Sequence, residues 1–196
     1  MNEIKTIDSL YEALRLDGVE TVFELEKEFA RIAGALINDF AIRKADKLYR
    51  FVEIEFYHSM ADKGEGCDGV TYPREGDALQ YFFHKSGMDL TFLSDAERYG
   101  GILIRAIRCG DEFINGPYKV ADTLFDQFDA RNLPSGNYPL IVADEPEKRV
   151  LPVPSWRHHI AASDKKYRYS LPRDKWTDHK GYQAYPWDYK GNLKKK

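Results

Sequence analysis

Two glutamates interrupt a segment that otherwise has the composition of a buried strand. The segment "YRFVEIEFYH", from Tyr49 to His58, is rich in aromatic and β-branched residues and contains Glu53 and Glu55. A carboxylate among aromatic side chains is costly unless it is paired or used in chemistry. A positioned carboxylate can also act as a general base towards water. Glu53 and Glu55 therefore either lie on a solvated face of the strand or form a pair that takes part in chemistry.

An arginine stands inside a second apolar segment, "GILIRAIR". Arg105 is flanked there by aliphatic residues, so the pattern places it in a buried strand. A buried arginine needs an anionic partner. A structural ion pair with Glu53 or Glu55 is one interpretation of Arg105, and a role near a reacting water is the other.

The elements that would position these residues alternate between helical and strand patterns. Apolar spacing predicts helices over 6–17, with Thr6 or Asp8 at the cap, and over Val19–Leu36. A third helix is predicted after the Asn115-Gly116-Pro117 turn, which could also direct helix N–H groups at a phosphate. Strands are predicted on either side of 44–47, on either side of 85–87, at "GGILIRAIR", at "YPLIVADEP" and within "IAASDKKYRYSLP". This order predicts an α+β fold: one compact domain with a curved, mostly antiparallel sheet and packed helices.

Length and composition are those of a globular protein. The chain has 196 residues and only two cysteines, Cys67 and Cys109. The amino terminus lacks the pattern of a secretory signal, and no apolar run approaches the length of a membrane span. We therefore expect reduced thiols, a cytoplasmic location, no membrane partner and a monomer. No Cys/His spacing is typical of zinc, so neither a metal nor another cofactor is expected.

Charge is distributed unevenly along the chain. From Lys165 to Lys196 there are ten Lys or Arg and three Asp, or +7, so with a total of −3 the remaining residues carry −10. The same segment contains seven tyrosines and tryptophans. Basic residues interleaved with aromatic ones suit a nucleic-acid strand, because charges contact phosphates and rings stack on bases. A solvated tail whose rings pack on the domain is the alternative.

Six motifs in unbroken order resemble the alkyladenine (3-methyladenine) DNA glycosylase family. The resemblance covers roughly residues 29–172 and leaves an amino-terminal helical extension, 1–28, and a basic aromatic tail, 173–196, outside it. The motifs are "FARIAGALINDFAI", "RFVEIEFY", "TYPRE", "YFFHKSGMDLTF", "GILIRAIR" and "INGPYKVADTLFD", and "RHHIAASDKKYRYSLP" is similar to the family's closing segment.

The resemblance implies particular roles. Glu55 falls on the family's catalytic base, and Arg105 falls on the arginine near the catalytic water. Tyr57 and Phe83 fall on aromatic residues that hold the flipped base, although both could be core aromatics. Glu53 is expected to support the site or to form a salt bridge.

Other positions are implied less directly. The family's loop histidine is absent from "GEGCDG", and His84 or His58 is a possible substitute in binding the base. Ser86 stands where the family inserts a tyrosine into the minor groove, so we expect a preference for single-stranded or distorted sites. Arg74 and Lys119 lie in two of the matching motifs and, with Lys194, Lys195 and Lys196 of the tail, are the expected nucleic-acid contacts.

The resemblance thus implies a divergent DNA N-glycosylase of base excision repair. It would hydrolyse the N-glycosidic bond of a damaged or alkylated purine that is flipped into an aromatic pocket, with Glu55 activating water. Two alternatives stay open: an N-glycosidase acting on a nucleoside, nucleotide or RNA, and a non-catalytic protein that binds nucleic acid or a ligand on the same fold.

Overall fold

Two capped helices precede the first strand. In a computed structural model, which describes residues 3–60, 69–127, 137–145, 148–157 and 165–172, α1 spans Ile7–Leu14 and α2 spans Val22–Asp39. Each begins with a capping box, in which a threonine side chain (Thr6 or Thr21) accepts a hydrogen bond from the backbone N–H three residues on. The cap at Thr21 starts α2 three residues later than the apolar spacing predicted.

Nine strands within these described residues form one sheet, which is the rest of the framework. Its order is β3-β4-β5-β2-β1-β7, with β6 paired to β5, and with β9 paired to both β2 and β8. All the pairings are antiparallel. The strands are β1 Phe40–Lys44, β2 Lys47–Met60, β3 Tyr81–His84, β4 Gly87–Thr91, β5 Arg98–Cys109, β6 Glu112–Asn115, β7 Leu140–Ala143, β8 Val153–Ser155 and β9 Arg168–Ser170.

Strand β2 is the centre of the sheet, and its two edges are used differently. One edge pairs with β5 along most of its length. The other edge pairs first with β1 and then, from Glu53 to Glu55, with β9. Because side chains alternate across a strand, β2 presents Ile54 and Phe56 to one face and Glu55 and Tyr57 to the other.

Helices α2 and α3 cover the face that carries Phe56. The ring of Phe56 stacks on Phe29 of α2, with centroids 4.5 Å apart. Helix α3, Pro117–Leu124, buries Val120 and Leu124 and packs on β4 and β5. Gly87 allows this approach, because an added Cβ would lie 2.7 Å from Pro117 Cβ. We call the Phe56 side the core face and the Glu55 side the site face.

The predicted fold class is confirmed: the described residues form an α+β single domain with a curled antiparallel sheet. Both predicted hairpins, the helix after Pro117 and the strands at Leu140 and Arg168 are present. The short strands β6 and β8 were not predicted. The proposed division at residue 28 falls inside α2, and the buried side chains of α1 belong to the same hydrophobic core as the sheet.

Candidate functional site

A row of directly paired residues crosses the site face. Five consecutive strand pairings connect its members, so their side chains all point to the site face, opposite to α2 and α3. In order from β8 to β3 the row is Ser155, Arg168, Glu55, Leu103, Asp89 and Phe82. On this face Glu55 lies between Arg168 and Leu103, whereas the adjacent β2 residues that point to the core face, Ile54 and Phe56, are apolar.

Glu55 is fully buried, and Tyr57 and Arg105 both contact its carboxylate. Tyr57 donates its hydroxyl hydrogen to Glu55 Oε2 at 2.8 Å, and Arg105 Nη1 donates to the same oxygen at 3.2 Å. The side chain of Glu55 has no exposed surface, while that of Arg105 is 20% exposed. The three residues that the sequence predicted at the chemical centre therefore do contact one another.

A register shift between β2 and β5 places Arg105 among the carboxylates. Glu53 pairs with Ala106 but Ile54 pairs with Ile104, so Arg105 falls between the two registers. Its Nε donates to Glu53 Oε1 at 2.9 Å while Nη1 reaches Glu55. The bulge thus lets one guanidinium contact carboxylates on successive same-face positions of β2.

Electrostatic interactions set the protonation states of Arg105 and Tyr57. Burial lowers the pKa of Arg105, but the negative charges of Glu55 and Glu53 outweigh it and raise the pKa above its ordinary value. Burial, and secondarily the charge of Glu55, raises the pKa of the Tyr57 hydroxyl. Tyr57 therefore stays a hydrogen-bond donor and Arg105 a cation at all physiological pH values.

Two further arginines, which were not among the predicted site residues, adjoin this centre. Arg168 Nε approaches Glu53 Oε1 to 2.5 Å, and its side chain is 1% exposed. Arg157 Nη1 donates to the carbonyl of Phe56 at 2.9 Å, and its guanidinium lies 4.7 Å from the centre of the Tyr57 ring. One face of the Tyr57 ring is therefore occupied by a cation.

A second polar cluster lies further along the site face and contains three of the predicted site residues, Arg74, His84 and Ser86. Arg74 Nη1 donates to Asp89 Oδ2 at 2.8 Å, and both side chains are 2% exposed. His84 Nε2 lies 2.9 Å from Asp89 Oδ1. Arg74 was predicted to contact nucleic acid, but here its side chain is buried and paired, so phosphate contact would require this ion pair to open.

Ser86 closes the same cluster. Its backbone N–H donates to His84 Nδ1 at 3.1 Å, and its hydroxyl shares a hydrogen bond with the Tyr72 hydroxyl at 3.1 Å. The Tyr72 ring lies over the His84 imidazole with centroids 4.6 Å apart. Because Nδ1 accepts a backbone hydrogen bond, Nε2 carries the imidazole proton and faces Asp89.

Phe83 is not brought to Glu55. It lies on β3, three strands from β2, and alternation turns it to the core face while Phe82 occupies the site face. Its ring contacts Phe125 edge-on at 4.7 Å and its residue is 52% exposed. At about 4.8 Å per strand, β3 is roughly 14 Å from β2, so the expectation that Phe83 lies beside Glu55 is wrong.

The remaining predicted contacts lie away from Glu55 or outside the described residues. Lys119 is exposed on α3 and lines a groove of about 360 Å³ between this helix and β6. Lys194, Lys195 and Lys196 lie outside the described residues, as do Cys67 and the "GEGC" part of the loop. Within the described ranges, no group of three or more His, Cys, Asp or Glu side chains is placed to hold a metal ion.

Sequence reasoning missed Ser155, Arg157, Arg168 and Asp89. The sequence did indicate that further cationic partners were needed, because two buried glutamates require more than one positively charged partner. The sequence offers no way to choose among its many arginines, however, since Arg157 and Arg168 are more than a hundred residues from Glu53.

No protein-family model matches the chain, and no curated protein matches it significantly. The likeness to the alkyladenine glycosylases therefore stays a prediction from short motifs. Among the described residues, no helix is long and apolar enough to cross a bilayer.

Proposed function

We propose that this chain is a DNA N-glycosylase that releases a damaged purine, with Glu55 as the general base. The observation that carries the proposal is the buried contact of Glu55 with Arg105 and Tyr57. A carboxylate held rigidly in a water-poor site, with a cation that stabilises its charge, suits the activation of a hydrolytic water. We further propose that the protein is a cytoplasmic monomer and that its basic tail binds DNA.

The reaction would be a hydrolysis at the sugar carbon. Glu55 takes a proton from water, and the water oxygen bonds to C1′. The bond from C1′ to the purine nitrogen breaks, and the purine leaves with the bonding electrons and takes up a proton. Arg105 and Tyr57 contact Glu55 Oε2, so they fix the orientation of the Glu55 carboxylate during this proton transfer.

The contacts of Tyr57 favour a neutral purine over a cationic one. Arg157 already lies over one face of the ring. A flipped purine could stack only on the opposite face, and a positively charged base there would compete with Arg157 for the same ring electrons. A deaminated purine, which is neutral, is therefore preferred to an N-methylated cation.

Base release from a panel of oligonucleotides tests the proposal. Deaminated and alkylated purines are presented in single and double strands to the wild type and to Glu55→Gln. We expect the variant to lose at least about a hundredfold in rate, because the amide keeps the shape of the carboxylate but is a poor base.

Glu53→Gln is the matched control, since Glu53 also contacts Arg105 but faces Ser170 rather than the Tyr57 hydroxyl. We expect it to lose much less activity once folding has been verified by circular dichroism. Equal base release by the wild type and Glu55→Gln would contradict the assignment of the base.

A non-catalytic binding protein is the second candidate, and one observation favours it. Glu55 is enclosed by an ion pair and a hydrogen bond, as a purely structural carboxylate would be. This candidate predicts no base release from any oligonucleotide, nucleoside, nucleotide or RNA substrate by the wild type. It also predicts that Glu55→Gln loses stability in urea without a change in any rate.

A further inference from the structure

Two buried polar groups at the β8–β9 end of the row have neither a hydrogen-bond partner nor an ion-pair partner among the described residues. They are the Ser155 hydroxyl and Arg168 Nη1. Ser155 is 6% exposed and Arg168 is 1% exposed. The two residues are directly paired across β8 and β9, so their side chains leave the sheet on the same face at a Cβ separation of about 5 Å.

Such groups are exceptional in a folded protein. A buried donor without an acceptor costs about 1–3 kcal/mol, and more when it is charged. The neighbouring serine shows the ordinary arrangement: Ser170, two residues along β9 on the same face, donates its hydroxyl to Leu171 O at 3.2 Å. Ser155 and Arg168 therefore differ from Ser170 in offering donors that the described residues do not use.

The donors match a phosphate group. A guanidinium edge and a hydroxyl are the side-chain groups that proteins use on phosphate oxygens. Arg168 is also placed next to the chemistry, because it pairs directly with Glu55 across β9 and β2. Directly opposite strand residues are about 5 Å apart, so a phosphate bound by Arg168 would adjoin the strand position of Glu55.

We infer that Arg168 and Ser155 form a phosphate subsite, so that the ligand held at Glu55 is a phosphorylated nucleotide unit and not a bare nucleoside or base. The inference rests on the proposed function for its choice of a nucleotide. The phosphate can belong to a free nucleotide or to a nucleic-acid backbone, because the same oxygens face the protein in both.

Titration calorimetry on the full chain tests this subsite. The protein carries Glu55→Gln so that no turnover occurs, and the probes are deoxyinosine, deoxyinosine 5′-monophosphate, inorganic phosphate and a dinucleotide with one internal phosphate. We expect the monophosphate or the dinucleotide to bind about tenfold or more tightly than deoxyinosine, the worth of a charge-assisted hydrogen bond. A tighter monophosphate identifies a free nucleotide, and a tighter dinucleotide identifies a backbone.

Ser155→Ala isolates the subsite, with Ser170→Ala as its matched control. Ser155→Ala should reduce the phosphate preference to about twofold or less, while Ser170→Ala should keep it. Arg168→Met is less suitable alone, because it also removes a partner of Glu53 and can prevent folding.

Equal binding of nucleoside and phosphorylated probes, equal effects of the two serine variants, or no binding of any phosphorylated probe would overturn the inference. Base release without a phosphate preference would overturn this inference alone. A phosphate preference without base release would overturn only the proposed function.

Discussion

Arg105 holds two buried carboxylates at once, and this arrangement affects chemistry as well as stability. Glu53 and Glu55 leave β2 on the same face, where two negative charges would repel each other without a cation between them. Arg168 adds a second cation on Glu53. Glu53 is therefore contacted by two arginines, whereas Glu55 is contacted by Arg105 and by the Tyr57 hydroxyl, so the two carboxylates of the pair have different surroundings.

A histidine on the core face gives stability a pH dependence. His58 is 2% exposed and lies edge-on to the rings of Phe29 and Phe92. Burial, and secondarily the charge of Arg98, lowers the pKa of His58 to about 4. The folded pKa lies below the ordinary value of about 6.5, so the contribution of neutral His58 is fully present above pH 6.5 and is lost as the pH falls towards 4.

We predict that the free energy of unfolding of the wild type falls by about 2 kcal/mol more between pH 7 and pH 5 than that of His58→Leu. Leucine keeps the site apolar and cannot be protonated. Urea titrations at pH 8, 7, 6 and 5 measure the difference, and the interval from pH 8 to 7 serves as the internal control because His58 is neutral throughout it. Parallel pH profiles in the two proteins would show that His58 is not the responsible group.

At the scale of elements, a glycine in β5 lets the second polar cluster lie against the sheet. A Cβ on Gly101 would come 2.7 Å from Arg74 Nη1, 2.9 Å from Leu90 O and 3.0 Å from Asp89 Cβ. Two of these atoms are backbone or close to it and cannot move away. Arg74 and Asp89 can therefore pack against Gly101, which pairs with Tyr57, only because Gly101 has no side chain.

We predict that Gly101→Ala destabilises the protein by about 1–3 kcal/mol, because the added methyl forces the Arg74–Asp89 pair or the strand to shift. Gly34→Ala is the control: it lies inside α2 with nothing within 4 Å of the added Cβ, and it should be neutral or stabilising by up to about 1 kcal/mol. Thermal unfolding of both variants measures the contrast, and equal melting temperatures would be inconsistent with the close approach.

Elements with a strong local pattern could be predicted from the sequence. The hairpins around residues 45 and 86 and the helix after Pro117 each carry turn residues and periodic apolar positions. Strand β8 could not, because it has three residues and a central proline, which is tolerated only where its missing N–H faces no partner. Strand β6 is also short, and only its pairing with β5 makes it a strand.

The site was predictable only where its residues are close in sequence. Glu55 and Tyr57 are two apart on one strand, so alternation alone places them together. In "YFFH" either phenylalanine could face the site, and pairing with β4 chose Phe82. The positions of Arg157 and Arg168 depend on β8 and β9, whose pairing partners no local pattern identifies.

For the whole molecule, the uneven distribution of charge predicts where nucleic acid binds. The segment from Lys165 to Lys196 carries +7 against −10 for the remainder. We predict that deleting 191–196, or changing Lys194, Lys195 and Lys196 to glutamine, weakens oligonucleotide binding and flattens its dependence on salt, because fewer counterions are released.

The melting temperature should stay nearly constant in both tail variants, and this separates lost binding from lost folding. Affinity is measured by fluorescence anisotropy between 50 and 200 mM salt, as a range over which phosphate contacts are strongly screened. Ser86 in place of a tyrosine also predicts tighter binding to single strands than to duplexes. Binding that ignores both salt and the tail would point to a small-molecule ligand instead.

The divided edge of β2 also sets an order of events during synthesis. Strands β1, β2 and β5 are made early, so the ribosome-bound chain can already form the contacts of Arg105 with both glutamates. Strand β9 emerges about sixty residues after β5, several seconds later at a typical rate of translation. Until β9 has been synthesised, the edge of β2 from Glu53 to Glu55 lacks its pairing with β9. Glu53 also lacks its contact with Arg168 until then. A nascent chain stalled before β9 would thus present a half-open sheet, the form most exposed to chaperones and to pairing with another chain.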